Sequence, residues 1–452
     1  MTTPAPAPVR APTAARPTGA RRALVAGSVG NLVEWYEFGV YGYFATVIAA
    51  HFFTPEGGSP VEGLVKTYAS FALAFFFRPV GAAVFGRLGD RIGRRPVLVL
   101  VICLMTGATA LIGALPTYAS VGAVAPWLLT VLRVVQGLSA GGEFGGAVAV
   151  MTECAPPGRR GRYGAWQSFT VALGLLGGAA VAALLATVLS ASQLHAWGWR
   201  VPFLLTLPLG LVALWLRLRL DETPAFASAV ASAGTAPPGA REGVLEGGPP
   251  RRPPVPDTVR AVVLGAGRVM GWSAAGYTFL VVLPSYLQNT LHATFQQALV
   301  ATALANLGFA CSILPAGAVS DRVGRRPVML AGALLVAVPA LPLLHLVQDP
   351  GAATYAKGAA LVGAGAAVGL MAGPGPAMLA EMFPTTVRYT GLGLAYALSN
   401  AVFSGCAGLV ITEVVARTGD VDVPGYYAAA ACAVSAVALL TLRGDDHERE
   451  LR

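Results

Sequence analysis

Lysine is almost missing from this chain: Lys66 and Lys357 stand against 29 arginines in 452 residues. Charge of any kind is scarce, at 12% of residues where a soluble domain carries about 25%. With 55% hydrophobic residues and a mean hydropathy of +0.64, this excludes an ordinary soluble fold. Cysteine is sparse as well. Cys103, Cys154, Cys311, Cys406 and Cys432 show no metal-ligand spacing, and no disulfide is expected. Of five histidines, His51, His195, His292 and His345 fall near the expected outer helix ends and read as interfacial side chains. There is no GxxxxGKS/T loop, so ATP as a driving force has no support. The GxG in "GAGRVMG" (265–271) lies in an apolar run with no strand before it, which argues against a dinucleotide site. No enzyme activity, cofactor or metal is expected.

In place of charge the chain has repeated apolar runs of about 20 residues, the length that crosses a bilayer as a helix. Continuous runs, not ten-residue alternation, point to helices and away from a barrel. Twelve spans are expected, at 24–50, 65–86, 97–116, 124–152, 165–189, 200–218, 259–287, 295–318, 328–347, 354–380, 391–415 and 424–442. An even number places both termini on one side. Of the 31 Lys and Arg residues, 24 fall on the side of the N-terminus, and four (Lys66, Arg200, Lys357, Arg417) on the other. Arg78, Arg133 and Arg268 fall inside spans. The positive-inside rule then makes the termini cytoplasmic. The same distribution accounts for the net charge of +9 without nucleic acid. Residues 1–22, rich in Pro, Ala and Thr, read as a disordered cytoplasmic tail that precedes an uncleaved anchor, not a cleavable signal peptide. Residues 219–258, with "PPGAREGVLEGGPPRRPPVP", read as a cytoplasmic linker. The expected architecture is an all-α polytopic membrane protein: one six-helix bundle at 23–218, the linker, a second bundle at 259–443, and a cytoplasmic tail at 444–452.

The two halves echo each other. "GRLGDRIGRRPVLVL" (86–100) recurs as "GAVSDRVGRRPVMLA" (317–331), each joining the second and third spans of its half. "MTECAPPGRRGRYG" (151–164) has a looser echo in "LAEMFPTTVRYTG" (379–391), with a Glu at a helix end, then Pro, then Arg. A six-span repeat implies parallel halves with a site between them near the membrane midplane.

The repeated loop resembles the signature loop of the major facilitator superfamily. Together with "GNLVEWYEFGVYG", "FRPVGAAVFGRLGDRIGRR", "RVVQGLSAGGEFGGA", "WGWRVPF", "DETPAF" and "EMFPTTVRYTG", it is similar to the metabolite:proton symporter branch over about residues 22–443. That branch includes proline/glycine-betaine, α-ketoglutarate, citrate and shikimate permeases. The resemblance implies the major facilitator fold, alternating access driven by a proton gradient, and a functional monomer. It also implies a gate. Gly86, Gly93 and Gly324 permit tight turns, and the acids and arginines around them can pair across helix ends. Asp90, Arg91 and Arg94 are expected to engage Glu153, while Asp321, Arg322 and Arg325 engage Glu381. Arg95, Arg326 and Arg388 complete the set.

Charges inside the spans need protein or a water-filled cavity to face. Glu34 and Glu37, three residues apart in the first span, are the candidate proton-coupling pair, because a buried carboxylate resists ionisation. Glu34 leads; Glu37 is equally an ion-pair partner, with Arg268 a candidate. Arg133, Gln136, Ala140 and Glu143 share one face of the fourth span, opposite Gly137, Gly141 and Gly145. Arg133, Gln136, Glu143, Arg78 and Arg268 are the polar substrate-binding candidates. Tyr36, Tyr41, Trp166 and Tyr277, with Trp35, Trp272 and Tyr286, are candidate aromatic walls for an alkylated ammonium. The function expected is uptake of a small zwitterionic or anionic metabolite, a proline/glycine-betaine-type osmolyte first and a carboxylate such as α-ketoglutarate, citrate or shikimate second. A drug:proton antiporter shares the fold and the loop, while a membrane scaffold would not need buried charge in both halves.

Overall fold

The computed structural model describes residues 17–219 and 255–442, except 93, 142–147, 149, 150, 153, 154, 157, 385 and 386. The side chains of 17–26, 86, 89–91, 94, 95, 255 and 389 are likewise not described. Glu143, Glu153, Gly93, most of the expected linker and tails, and the side chains of Gly86, Asp90, Arg91, Arg94 and Arg95 thus lie outside the described residues.

Among the described residues, twelve helical spans follow one another. The first half holds α1 (17–53), α2 (Pro60–Ile92), α3 (Arg94–Ala114), α4 (Val124–Ala140 in its described part), α5 (Arg160–Val188) and α6 (Ala191–Leu218). The second holds α7 (255–289), α8 (Phe295–Val323), α9 (325–348), α10 (Thr354–Met382), α11 (388–418) and α12 (Val423–Leu440). Helix α1 begins at Pro17, within the stretch read as tail, since Pro suits a first helical turn. Eight of the twelve are long and apolar enough to cross a membrane by composition alone, and α9, bent by 43° after Ala337, makes a ninth.

The others stand apart for physical reasons. The described part of α4 is short. Helices α1 and α7 are less apolar because they run through protein and not lipid. Every residue from Gly30 to Ala45 except Leu32 is buried, as is every residue from Arg268 to Leu287. A helix buried all round can carry polar groups that a lipid-facing one cannot. Trp127, Val188, Leu211 and Val338, on other helices, are strongly exposed, as lipid-facing side chains should be.

Close approach within each half depends on glycine. A methyl group at Gly137 of α4 would strike the Ala74 carbonyl of α2, and one at Gly141 the Arg78 carbonyl. In the second half Gly308 of α8 meets Val362, and Gly365 of α10 meets Ala305, in the same way. The halves join through α5 on α8 and α2 on α11. On the face carrying the arginine-rich loops, Ser168 Oγ donates to Ala372 O at 2.8 Å. Towards the opposite face, the Tyr68 hydroxyl meets Ser285 Oγ at 2.6 Å and Thr46 Oγ1 donates to Gln288 Oε1 at 3.1 Å. Hydrogen bonds thus join the halves on both sides of the centre. Two wide helical turns, Thr278–Val282 in α7 and Asn400–Gly405 in α11, sit at that centre, as such turns do at functional sites.

Gly137→Val should lower the midpoint of thermal unfolding in detergent by several degrees, because overpacking this contact costs about 1–3 kcal/mol. An unchanged midpoint would show that α2 and α4 can separate freely.

Candidate functional site

The acid-rich stretch of α1 meets α2, α3 and α4 in a cluster sealed from water. Arg78 Nη2 lies 3.4 Å from Glu34 Oε1, with both side chains 6% exposed. That is longer than the ~2.7–2.9 Å of a tight charged hydrogen bond. Aromatic rings supply the rest of the surroundings. The Arg78 guanidinium carbon is 4.3 Å from the ring centre of Phe75, 4.4 Å from that of Phe38 and 5.4 Å from that of Trp35. Arg133 is fully buried, and its guanidinium carbon lies 4.1 Å from the ring of Tyr41, 4.9 Å from Phe71 and 5.1 Å from Phe38. Its Nη1 donates to Gln136 Oε1 at 2.6 Å, Gln136 Nε2 donates to Thr109 Oγ1 at 2.6 Å, and Thr109 Oγ1 donates to Glu37 Oε2 at 2.7 Å. Arg133 is thus connected to Glu37 through two neutral side chains. Among the described residues, Nε and Nη2 of Arg133 and Nε of Arg78 have no hydrogen-bond partner.

Next to this cluster, between the halves, lies a small cavity. Trp35 and Leu175 line it from the first half; Trp272, Ser273, Tyr277, Phe309, Tyr396, Asn400 and Ser404 line it from the second. The wide turn of α11 brings Asn400 and Ser404 to the wall. Trp35 and Tyr277 meet at 6.3 Å, and Trp272 and Tyr396 at 5.6 Å, between ring centres. Tyr277 also packs on Phe75 at 5.5 Å, so its ring joins the cavity to the arginine cluster. Its hydroxyl is buried and has no hydrogen-bond partner among the described residues. Tyr277 and Tyr396 both lie in coulombic range of Arg78 and Glu34.

A second charged group closes the arginine-rich face. Arg325 Nη1 lies 2.7 Å from Asp321 Oδ1, and its Nη2 lies 2.9 Å from Glu381 Oε1. Asp321 reaches across the halves: its Oδ1 accepts from Gly161 N at 2.6 Å and its Oδ2 from Arg162 N at 2.9 Å. These amides open α5, where a carboxylate satisfies orphan donors and the helix dipole. Only glycine fits at 161, since a Cβ would strike Arg325, Gly317 and Ser320. Gly324, at φ 94°, ends α8 in a conformation that glycine adopts freely. Arg388 Nε donates to the carbonyls of Ala380 (3.0 Å) and Phe383 (3.1 Å), tying α11 to the end of α10. At the opposite face, His345 and then Gln348 donate to Asp422 and hold its carboxyl below the usual carboxylate range.

The comparisons with known proteins agree with this geometry. Residues 23–243 match the family described as sugar (and other) transporters, and residues 264–452 match the major facilitator superfamily. An ectoine/proline transporter of Corynebacterium glutamicum is 37% identical over 94% of this chain and 84% of its own length. The proline/betaine transporter of Escherichia coli K12 is 33% identical over 94% and 83%, and its alpha-ketoglutarate permease 37% identical over 86% of each. The chain belongs to the major facilitator superfamily. It is a multi-pass membrane transporter and not an enzyme. Among solved structures, a D-xylose–proton symporter superposes with a TM-score of 0.71 over 93% of this chain and 97% of its own, at 20% identity, which speaks for the fold.

Several sequence expectations change in the transporter's structure. Arg268 does not face Glu37: its Nη2 donates to Thr441 Oγ1 at 2.8 Å, because α7 packs on α12 there, with Gly271 against Cys432 and Ser435. The Tyr36 hydroxyl turns inward to Pro202 O at 3.1 Å, away from the cavity. Trp166 is 42% exposed and donates to Ser28 Oγ at 2.9 Å, so it lines no cavity either. Tyr41 covers Arg133 and meets Ser70 at 2.5 Å, inside the first half. Of Asp321, Arg322 and Arg325, it is Arg325 that reaches Glu381; Arg322 is exposed and Arg326 half-buried. The run Gly137-Leu138-Ser139-Ala140-Gly141 has the GxSxG spacing of a hydrolase elbow, but Ser139 donates to Val135 O within a continuous helix, so there is no strand-to-helix turn. Phe38, Phe71, Phe75, Thr109, Tyr396, Asn400 and Ser404 were not singled out. One signal was present for part of this set: Tyr68, Phe71, Phe75 and Arg78 recur at helical spacing on one face of α2.

Asp321→Ala should open the arginine-rich face more often, since losing a capping side chain costs about 0.5–2 kcal/mol. In a Ser168→Cys background without other reactive cysteines, maleimide labelling at position 168 should rise several-fold. Unchanged labelling would show that the Asp321 contacts do not hold the face shut.

Proposed function

We propose that this transporter takes up a small zwitterionic carboxylate of the proline, betaine or ectoine type together with protons. The observation that carries the reading is the loose Arg78–Glu34 pair beside an aromatic cavity. In the empty carrier Glu34 balances Arg78. Glu34 accepts a proton from the outer side and releases Arg78, which a substrate carboxylate then takes, with the Tyr277 hydroxyl as a second donor. The substrate carboxylate replaces the charge that Glu34 gives up, so the arginine cluster itself stays balanced and the loaded carrier can rock, with the ammonium on the aromatic walls. Trp35, Trp272, Tyr277 and Tyr396 give an alkylated ammonium aromatic faces, and no carboxylate is needed at that end.

The names of the relatives support both this class and alpha-ketoglutarate. A dicarboxylate would need two cations at the cavity. Arg133 is covered by Phe38, Phe71 and Tyr41, and Arg268 points to Thr441, which favours one carboxylate. We infer further that the termini and linker are cytoplasmic, from the arginine asymmetry, and that a single chain works with the proton gradient alone, without cofactor, metal or nucleic acid. The two bundles at 23–218 and 259–443 are the rocking bodies. The gate formed by the two repeated loops then alternates with the Tyr68–Ser285 contact at the opposite face.

In vesicles, Glu34→Gln should abolish uphill accumulation of proline or glycine betaine under a proton gradient while leaving exchange. Full accumulation would exclude Glu34 as the coupling group. Tyr277→Phe should raise KM about ten- to a hundredfold with little change in maximal rate, because a hydrogen bond to a charged group is worth about 1.5–3 kcal/mol. If unlabelled alpha-ketoglutarate competes better than betaine, the zwitterion reading falls.

A further inference from the structure

Phe38 is buried in the core, and its ring also faces both arginines. Its ring centre is 4.4 Å from the Arg78 guanidinium and 5.1 Å from the Arg133 guanidinium, so one buried ring serves two like charges. Arg78 and Arg133 are close enough to repel each other. Phe75 and Phe71, which each cover one of the two arginines, also pack on Phe38 at 5.3 and 6.4 Å. Among the described residues, the charged and titratable groups facing this site are Glu34, Glu37 and Tyr41 on α1, Arg78 on α2, Arg133 on α4, Tyr277 on α7 and Tyr396 on α11. Towards it α3 presents the neutral Thr109 and α5 the apolar Leu175.

When Glu34 holds a proton and no substrate carboxylate has yet arrived, two guanidiniums face one carboxylate in a dry interior. Aromatic faces carry partial negative charge and attract such cations most strongly where water is excluded. We propose that Phe38 is a positioning residue for proton coupling: its ring face stabilises the excess positive charge of the protonated, unloaded carrier and so sets how readily Glu34 accepts a proton. The inference rests on Glu34 as the coupling group. Without the ring's quadrupole the two arginines hold Glu34 in its ionised form more strongly, and protonation needs a more acid outer side.

Fluorination tests this because it withdraws charge from the ring face with little change in shape. The full-length protein is made with 4-fluoro-, 3,5-difluoro- or 3,4,5-trifluorophenylalanine at position 38 and reconstituted in vesicles. Proton-driven uptake of radiolabelled proline and of glycine betaine is followed against external pH, with exchange measured at fixed pH. The pH of half-maximal uptake should move stepwise to more acid values, by about one unit across the series, with exchange affected less than proton-driven uptake. A pH profile that stays fixed, or moves to the alkaline side, overturns the role of Phe38. Glu34→Gln is measured in parallel. If that variant still accumulates substrate uphill, the coupling reading itself has failed and the Phe38 proposal with it. If it is uncoupled and the fluorinated series is flat, the Phe38 proposal alone has failed.

Discussion

Two guanidinium groups kept from water within one helical bundle set the terms for the first half of this transporter. A buried cation is costly unless it is paired and hydrogen-bonded. Arg78 has one loose carboxylate and three rings around it; Arg133 has one amide, three rings and a relay to Glu37. Neither is locked as a bidentate Arg–carboxylate pair would be. A site that must release and regain a partner in each cycle is better served by rings, which attract a cation without demanding one geometry, than by a rigid ion pair.

The same logic orders the rest of the molecule. Helices α1 and α7 carry polar side chains because they are covered on all sides, and the other helices cover them with apolar faces turned to lipid. Glycines at 137, 141, 308 and 365 bring helix backbones into close contact within each half. Between the halves there are single hydrogen bonds such as Tyr68–Ser285 and Ser168–Ala372, the Asp321 carboxylate on the first amides of α5, and close contacts such as Gly161 on Gly317. Hydrogen bonds of this kind are easily exchanged. Close-packed halves joined by exchangeable hydrogen bonds are what a rocking motion about a central cavity requires.

Much of the fold was legible before any coordinates, for a reason particular to membranes. The bilayer forces each crossing to be a helix with an apolar surface, so hydropathy marks most of the spans. The repeated loop then pairs the halves. The site was legible in part. Glu34, Glu37, Arg78, Arg133 and Gln136 stand out because charged and amide groups inside apolar runs need an explanation. Phe38, Phe71 and Phe75 do not, because an aromatic residue in a membrane span is ordinary until a cation is seen against it. Thr109 and Asn400 are hidden for the same reason.

By itself, the sequence determined which residues are too polar for lipid, how many spans there are and which segments repeat, because each of these follows from local composition and spacing. Tertiary structure alone decided the partners. Arg268 and Glu37 occupy matching places in the repeat, yet α7 turns Arg268 to Thr441 and α1 turns Glu37 to Thr109. Tyr36, one residue from Trp35, points to α6 while Trp35 lines the cavity. Helix rotation about its own axis selects among such neighbours. That rotation is set by the glycine contacts and wide turns of the packed helices, which no single segment encodes.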